Sequence, residues 1–403
     1  MPSSATWRST GVPTREAIER VVERVRRTPL AARIPDGWEQ LTDLPFTVKD
    51  DLREHYPLGL VTVPHDQLRR IHASSGTRGK PTVVAYSQHD LDVWTEVMAY
   101  CMTMAGVRPG MVVHNALGYG LFTGGLGFHM GAERIGALVI PASGGVTTRQ
   151  ALLLRDLGGQ VLCATPSYAL HIAQGLREAG IEDLELRIGM FGAEPWTEAM
   201  RAQIEAELGL TALNMYGLSE IIGPGVAAEC PEARDGLHVM EDHFAVEVVD
   251  PATGAPVPDG TDGELVFTTL TKEAMPLLRY RTGDIASLTR EPCPCGRPFA
   301  RMSAVRGRRD DMLIIRGVNL YPSQIEDVLL GVEGVSPHYQ LIVERPQHLD
   351  ELTVLCEGRG PDLARRVKHA IREQTGVNVR VQVRPMGEIP RSEGKAVRVI
   401  DRR

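Results

Sequence analysis

Apolar positions along this chain change their period several times, and each change predicts a different kind of element. Near the start, Ile18, Val21, Val22 and Val25 in AIERVVERVRR fall on one face of a helix. From His72 to about Gly217, short apolar runs alternate with helical patterns. VVAYS, MVVHNA, ALVIPA, QVLCATP, LRIGMFGA and ALNMYG predict strands, while QALLLRDLG and TEAMRAQIEAELG predict helices. In the second helix Thr197 suits the N-cap and Gly209 the stop. Strand–helix alternation of this kind predicts a largely parallel sheet with helices on its faces. Past the turn-dense DPATGAPVPDGTDG the chain becomes strand-rich, in ELVFTTL and PLLRYRTGD. From Asp310 a separate β-α-β-β-α-β rhythm begins, with strands DMLIIRG, YQLIVER, TVLCEG and NVRVQVRP. Its helix DLARRVKHAIREQTG puts Leu363, Val367, Ala370 and Ile371 on one face, and Gly376 stops it. The boundary is therefore expected between residues 309 and 310, giving domains 1–309 and 310–403. No internal repeat or low-complexity block interrupts the pattern.

Composition narrows the class. Lys and Arg number 44 against 51 Asp and Glu, a net charge of −7, which argues against nucleic acid or an anionic membrane as the main partner. No apolar run reaches the roughly 18 residues of a membrane helix, and MPSSATWRST lacks the apolar core of a signal peptide. Six cysteines in 403 residues do not make a disulfide framework. The expectation is a soluble, cytoplasmic, multidomain protein rich in turns.

Several polar segments carry candidate chemistry. SSGTRGKP offers Ser74, Ser75, Gly76, Thr77, Gly79 and Lys80 between two predicted strands, a nest of donors suited to phosphate oxygens. It is not a P-loop of the Walker type, because Lys80 precedes Pro81 and a strand follows instead of a helix. The bland alternative is an ordinary hairpin turn. YGLSE supplies Tyr216, Gly217, Ser219 and Glu220, the last a hard oxygen ligand of the kind Mg²⁺ takes. YRTGD brings Asp284 to a strand end, where a carboxylate can accept from ribose hydroxyls. Either motif taken singly also reads as a strand end with a polar turn. Asp310 and Asp311 stand at the boundary as a candidate hinge, and PRSEGKAVR sets Lys395 in a loop that composition alone reads as solvated.

Together, in this order, the motifs SSGTRGKP, YGLSE, YRTGD, GRRDDMLIIRGVN and SEGKAVR resemble those of the adenylate-forming acyl-CoA ligase superfamily. The likeness is strongest to its phenylacetate–CoA ligase branch, through LPFTVKDDLREHYPLG, GYGLFTGGLG, FGAEPWTE, TLTKEAMPLLRYRTGD and MLIIRGVNLYPSQIE, and runs from Leu44 to the C-terminus. The resemblance implies an α/β fold: a large multi-layer N-terminal domain with mainly parallel sheets and a small, mobile α+β C-terminal domain. It implies ATP-dependent conversion of an aryl or arylacetic acid to an acyl-adenylate, followed by transfer to CoA. In that scheme Lys395 bridges the carboxylate and the α-phosphate, Ser74 to Lys80 face the pyrophosphate, and Glu220 holds Mg²⁺. Asp284 and Arg308 hold the ribose, while Gly192, Ala193, Glu194, Pro195 and Tyr216, with Gly217 and Ser219, border the nucleotide. Tyr119, Phe122, Phe128, Ala193, Ile222 and Pro224 would form the acyl pocket, with plain core as the alternative for about half of them. Met130 stands where close relatives carry Tyr, which points to a related or substituted aryl acid. A homodimer is a family-level expectation only.

Cys230, His238, Cys293 and Cys295 form a last constellation. CPCG is a compact two-thiolate turn, and three thiolates with one imidazole make a common structural Zn²⁺ set; four unconnected residues are the alternative. Cys101, Cys163 and Cys356 lie in apolar runs and read as core. Rival functions are an enzyme that loads its acid onto a carrier protein or an amine, one that adenylylates a deazaflavin, and a nucleotide-binding regulator without catalysis. Joint retention of Lys395, Glu220 and Asp284 disfavours the regulator.

Overall fold

Helix α1 (Arg15–Val25) forms where the apolar stripe places it: the Thr14 hydroxyl caps it, and Ile18, Val21, Val22 and Val25 are all buried. The structure, a computed structural model, describes residues 13–74, 81–309, 312–315, 318–346, 350–391 and 396–403. Helix α2 (Lys49–Glu54) leads to an antiparallel hairpin, β1 (Leu68–Ala73) with β2 (Val83–Ser87). Then come α3 (Gln88–Met104), β3 (Val112–Asn115), α4 (Gly124–Ile135), β4 (Leu138–Ile140), α5 (Thr147–Asp156) and β5 (Val161–Ala164). Helix α6 (Pro166–Glu178), β6 (Ile188–Gly192), α7 (Glu198–Leu208) and β7 (Thr211–Leu218) complete the alternating stretch. Thr197 caps α7 and Gly209 ends it in the left-handed conformation, as its sequence predicts.

Strands β4, β3, β5, β6 and β7 lie side by side and parallel, each joined to the next in sequence by a helix. VVAYS is a strand but stays outside this sheet, paired only with β1. Beyond β7 the connections become too short for helical crossovers, so pairing turns antiparallel. Strands β8 (Gly223–Ala228) and β9 (Leu237–Val239) extend the sheet, and β10 (Phe244–Val249), β11 (Gly263–Thr269) and β12 (Tyr280–Ala286) begin another. With β13 (Leu288–Thr289) and β14 (Arg301–Met302) the large sheet reaches nine strands, and β15 (Gly307–Arg308) closes the second at four. The large sheet is thus mixed, parallel only in its first half. YRTGD opens β12 rather than ending a strand, because Arg279 just before it takes a left-handed backbone, φ 44°, that breaks the extended path.

The C-terminal rhythm is present with two additions. Strands β16 (Leu313–Ile315) and β17 (Val318–Leu320) form a hairpin, followed by α8 (Pro322–Leu330), β18 (Val335–Glu344), β19 (Glu351–Gly358), α9 (Leu363–Thr375), β20 (Arg380–Arg384) and β21 (Val399–Asp401). The last strand adds parallel to β18, making a four-stranded sheet. This part has its own apolar cluster, around Ile325, Val328, Leu341, Val354, Val367 and Ile371.

One buried cation ties the frame together. Asp90 completes the capping box of the Ser87 N-cap of α3 and also accepts from the backbone N–H groups of Glu273 (2.6 Å) and Ala274 (3.0 Å). That grip carries Lys272 into the core, where Nζ donates to the Glu220 carbonyl at 2.8 Å and lies 5.2 Å from the centre of the Tyr86 ring. Tyr86 in turn stacks on Trp94. Burial pulls the Lys272 ammonium down to about 8 from its usual 10.5, with Asp90 and Glu220 opposing. Near neutral pH the group is still mostly the cation, but the fold holds its proton less tightly than the unfolded chain does. Its contribution to stability is complete above 10.5 and is lost as pH falls through 8. Lys272→Met should remove a rise on the order of 3 kcal/mol between those limits. Urea unfolding of wild type and variant at both ends of the window measures it, and identical slopes would refute the assignment.

Candidate active site

Two adjoining cavities open at the carboxyl ends of the parallel strands, where ligands of α/β sheets collect. They share Ala193, Met215, Gly217, Leu218 and Arg308 as a common wall. Ala193 follows β6 in a left-handed conformation, φ 71°, that is strained for an L residue and sharply turns the chain between the two spaces.

The larger cavity, about 230 Å³, has flat apolar walls from Pro195, Trp196, Tyr216, Leu237, Met302 and Val305. At its edge Asp284 and Arg308 face each other across β12 and β15, with a 3.0 Å ion pair. The Tyr216 hydroxyl donates to the other Asp284 oxygen at 2.7 Å. Burial, then the Asp284 carboxylate, pushes the Tyr216 phenol well above its ordinary value, so it remains a donor.

The smaller cavity, about 120 Å³, is two-faced. Leu117, Phe122, Phe128 and Pro224 make an apolar side; Lys49, Ser74, Ser219, Glu220 and Thr282 make a polar one. Glu220 is only 5% exposed, and Lys49 Nζ lies 3.8 Å from its carboxylate. The Ser74 hydroxyl is buried and has no hydrogen-bond partner among the described residues. Lys49 reaches this wall because Thr47 docks on β12 through two backbone hydrogen bonds, with the Arg279 carbonyl and the Arg281 N–H. Sequence reasoning missed Lys49, which lies inside LPFTVKDDLREHYPLG but starts an ordinary helix and was given no role there. Trp196 was missed although it directly follows Pro195 in FGAEPWTE, and Met302 and Val305 were missed because only folding brings them to the cavity.

Three predicted acyl-pocket residues are not among the cavity-lining residues. Phe128 and Met130 are two positions apart on α4, so they face opposite ways, and Phe128 takes the cavity. The Met130 sulfur sits instead 3.2 Å from the Arg70 guanidinium and 3.8 Å from the Thr95 hydroxyl. The Tyr119 hydroxyl accepts from Asn115 at 2.8 Å and lies 3.1 Å from His129 Nδ1. Ile222 is wholly buried, and its carbonyl accepts from the Tyr86 hydroxyl. Gly192, Ala193, Gly217, Ser219, Phe122, Phe128 and Pro224 do line the smaller cavity, and Glu194, Pro195, Tyr216 and Asp284 the larger. Ser75, Gly76, Thr77, Gly79, Lys80, Asp310, Asp311 and Lys395 lie outside the described residues.

Outside the lining of either cavity, Cys230, His238, Cys293 and Cys295 converge, with all four donor atoms within 4.8 Å of one another. The Cys230 and Cys293 sulfurs are 3.7 Å apart, and Cys295 Sγ lies 3.3 Å from His238 Nε2. Zinc–sulfur bonds of about 2.3 Å at a tetrahedral angle require sulfurs about 3.8 Å apart, so the donor set fits that ion. Burial drives the His238 imidazole down to about 4, keeping it neutral as a metal ligand must be.

Comparisons with known proteins agree with this geometry. The family model described as AMP-binding enzyme matches residues 13–270, and the one described as AMP-binding enzyme C-terminal domain matches residues 317–403. The phenylacetate-coenzyme A ligase of Thermus thermophilus is 50% identical over 424 residues, covering 96% of this chain and 95% of that protein. That of Escherichia coli is 50% identical over 405 residues, covering 96% and 92%. Among solved structures, 2-hydroxyisobutyryl-CoA ligase in its postadenylation state superposes with a TM-score of 0.90 at 28% identity, over 96% of this chain and 88% of that one. The same ligase in its thioesterification state gives 0.70 at 29% identity, over 96% and 90%. The chain belongs to the AMP-binding, adenylate-forming enzyme family, on the branch of the phenylacetate-coenzyme A ligases.

Proposed function

We propose that this chain joins an arylacetic acid of the phenylacetate type to coenzyme A at the expense of ATP, through an acyl-adenylate. The observation that carries the reading is the shared wall: an apolar slot for a ring and a flat cavity for a base meet at Ala193 and Gly217. The identity to phenylacetate-coenzyme A ligases over nearly the whole chain supports it.

In the first step a carboxylate oxygen bonds to the α-phosphorus and pyrophosphate leaves. Two anions must approach, so the chain's work is positioning and fixed positive charge. Phe122, Phe128 and Pro224 hold the ring, and Asp284, with Arg308 and Tyr216 fixing its orientation, accepts from the ribose. Gly192 to Pro195 border the base. Lys49 and Arg308 supply charge on the polar wall, Ser74 to Lys80 receive the departing phosphates, and Lys395 bridges carboxylate and α-phosphate. Glu220, a buried carboxylate turned to the cavity, would hold the Mg²⁺ that screens phosphate charge. In the second step the thiol of CoA bonds to the acyl carbon as the acyl–phosphate oxygen bond breaks and AMP leaves. We place the domain boundary between 309 and 310, with Asp310 and Asp311 as the hinge. The gap between the two family matches and the separate C-terminal apolar cluster support that division. The unequal TM-scores to the two states of 2-hydroxyisobutyryl-CoA ligase support a small domain turned here as in that ligase's postadenylation state rather than its thioesterification state. We also propose one structural zinc on Cys230, His238, Cys293 and Cys295, with four protein ligands and hence no open position for catalysis.

Pyrophosphate exchange over a panel of aryl acids should give phenylacetate as an efficient substrate; exchange with none of them would refute the reading. Lys395→Ala should cut adenylation by about 10² or more and spare thioester formation from supplied phenylacetyl-adenylate. An equal loss in both steps would overturn that role. Phe128→Ala should raise KM for phenylacetate about tenfold, the worth of one buried aromatic contact, while Met130→Tyr leaves the ranking of acids unchanged. A reordering by Met130→Tyr would return that residue to the pocket. Protein purified without added zinc should hold about one equivalent per chain. Cys293→Ser with Cys295→Ser should lower both zinc content and Tm with acid preference intact, and zinc-free wild type of full stability would rule the site out.

A further inference from the structure

The carboxylate of Glu194 does not point at the nucleotide cavity alone; both its oxygens are engaged by backbone. Oε1 accepts from the Ser167 N–H at 2.7 Å, and Oε2 accepts from the Ala396 N–H at 2.9 Å. Ser167 lies in the first turn of α6, whose free N–H groups and dipole favour an anion there. The left-handed turn at Ala193 aims the side chain this way. Two residues on, the Arg398 guanidinium donates to the Ser167 hydroxyl at 3.1 Å, stacks on Tyr339 at 4.3 Å and lies 3.6 Å from Glu326. One helical turn and one glutamate of the large unit thus receive residues 396 and 398 of the small one. Ala396 directly follows Lys395 in the chain.

We propose that Glu194 is a positioning residue, an interdomain latch that fixes the backbone next to Lys395 for adenylation and must release before thioester formation. This rests on the ligase reading above. The latch needs two acceptor oxygens on one rigid group. A glutamine offers one acceptor and turns an N–H toward the other N–H, and an aspartate, one methylene shorter, cannot reach both partners. Base recognition by the same side chain predicts a different result, since it would act on ATP affinity rather than on the step.

The test compares wild type, Glu194→Gln and Glu194→Asp in three measurements: phenylacetate-dependent pyrophosphate release, thioester formation from phenylacetyl-adenylate and CoA, and amide hydrogen exchange in the peptide 386–403. Both variants should lose about tenfold or more in adenylation kcat, the scale of one charge-assisted hydrogen bond, with ATP KM within about twofold. Thioester formation should hold, and exchange in the peptide should rise. A raised ATP KM at unchanged kcat would assign Glu194 to the base and overturn the latch. An equal fall in both half-reactions would make its role merely structural and overturn it too. Should wild type turn over no acid, the ligase reading falls; the exchange data then decide the contact alone, and unchanged exchange in Glu194→Gln overturns it.

Discussion

Gly217 and Gly223 approach so closely that a Cβ on Gly217 would lie 2.0 Å from the Gly223 carbonyl oxygen. No side chain fits there, so this backbone contact requires glycine at 217. It sits where the sheet changes from parallel to antiparallel, with an irregular register between Tyr216 and Gly217. The tight return from β7 to β8 presents Ser219 and Glu220 to one cavity and leaves Tyr216 facing the other. On the far side, a Cβ on Gly127 would lie 2.6 Å from Pro224, so α4 is drawn against the same return and Phe128 is delivered to the slot. The two cavities share a wall because a single close approach of backbone builds both of their edges.

Around that bend the charged groups are paired, and they join the site to its frame. Arg201 binds Glu229 through two 2.8 Å contacts beneath β7 and β8, both side chains nearly buried. Arg279 makes a bidentate pair with Glu247 and donates to the Thr42 and Leu44 carbonyls, fastening the segment that leads to Lys49. Such buried pairs add little net stability over apolar packing, but removing one partner strands the other. Their effect is geometric: each ion pair admits one register of the loops that carry Lys49, Glu220 and Asp284.

What could be read from the sequence follows from how each segment is solvated. Helices α1, α7 and α9 have one wet and one dry face, so their apolar period was legible, as were the stops of α7 and α9 at Gly209 and Gly376. Helix α3 buries Leu91, Val93, Trp94, Val97, Met98, Cys101 and Met102, which leaves little polar face and blurs its period. Helix α4 opens on GGLG, poor helix formers that read as loop; its packing on α3 overrides propensity. The same blindness explains Met130: without knowing that α4 is helical, its opposition to Phe128 was invisible. The cysteine set was legible in kind but not in distance. Only the pairing of β9 with β14, which sets His238 opposite Arg301 close to CPCG, brings the two halves together.

The contrast between cores and interface is the last consequence of the sequence. Within each unit apolar clusters hold the layers, and such burial is costly to undo. On the proposed division, the contacts across the units among described residues are mostly polar: Glu194 with Ala396, Ser167 with Arg398 and the Arg306 carbonyl with the Ser323 hydroxyl, with Leu330 an apolar exception against the large unit. A hydrogen bond exchanged with water changes free energy by only about 1 kcal/mol, because the separated groups find new partners. A handful of such bonds selects an arrangement without making it permanent. Apolar burial of the same area would hold the units together through both steps of the proposed reaction, whereas a polar seam would let the segment proposed to carry the adenylation lysine approach for the first and withdraw for the second.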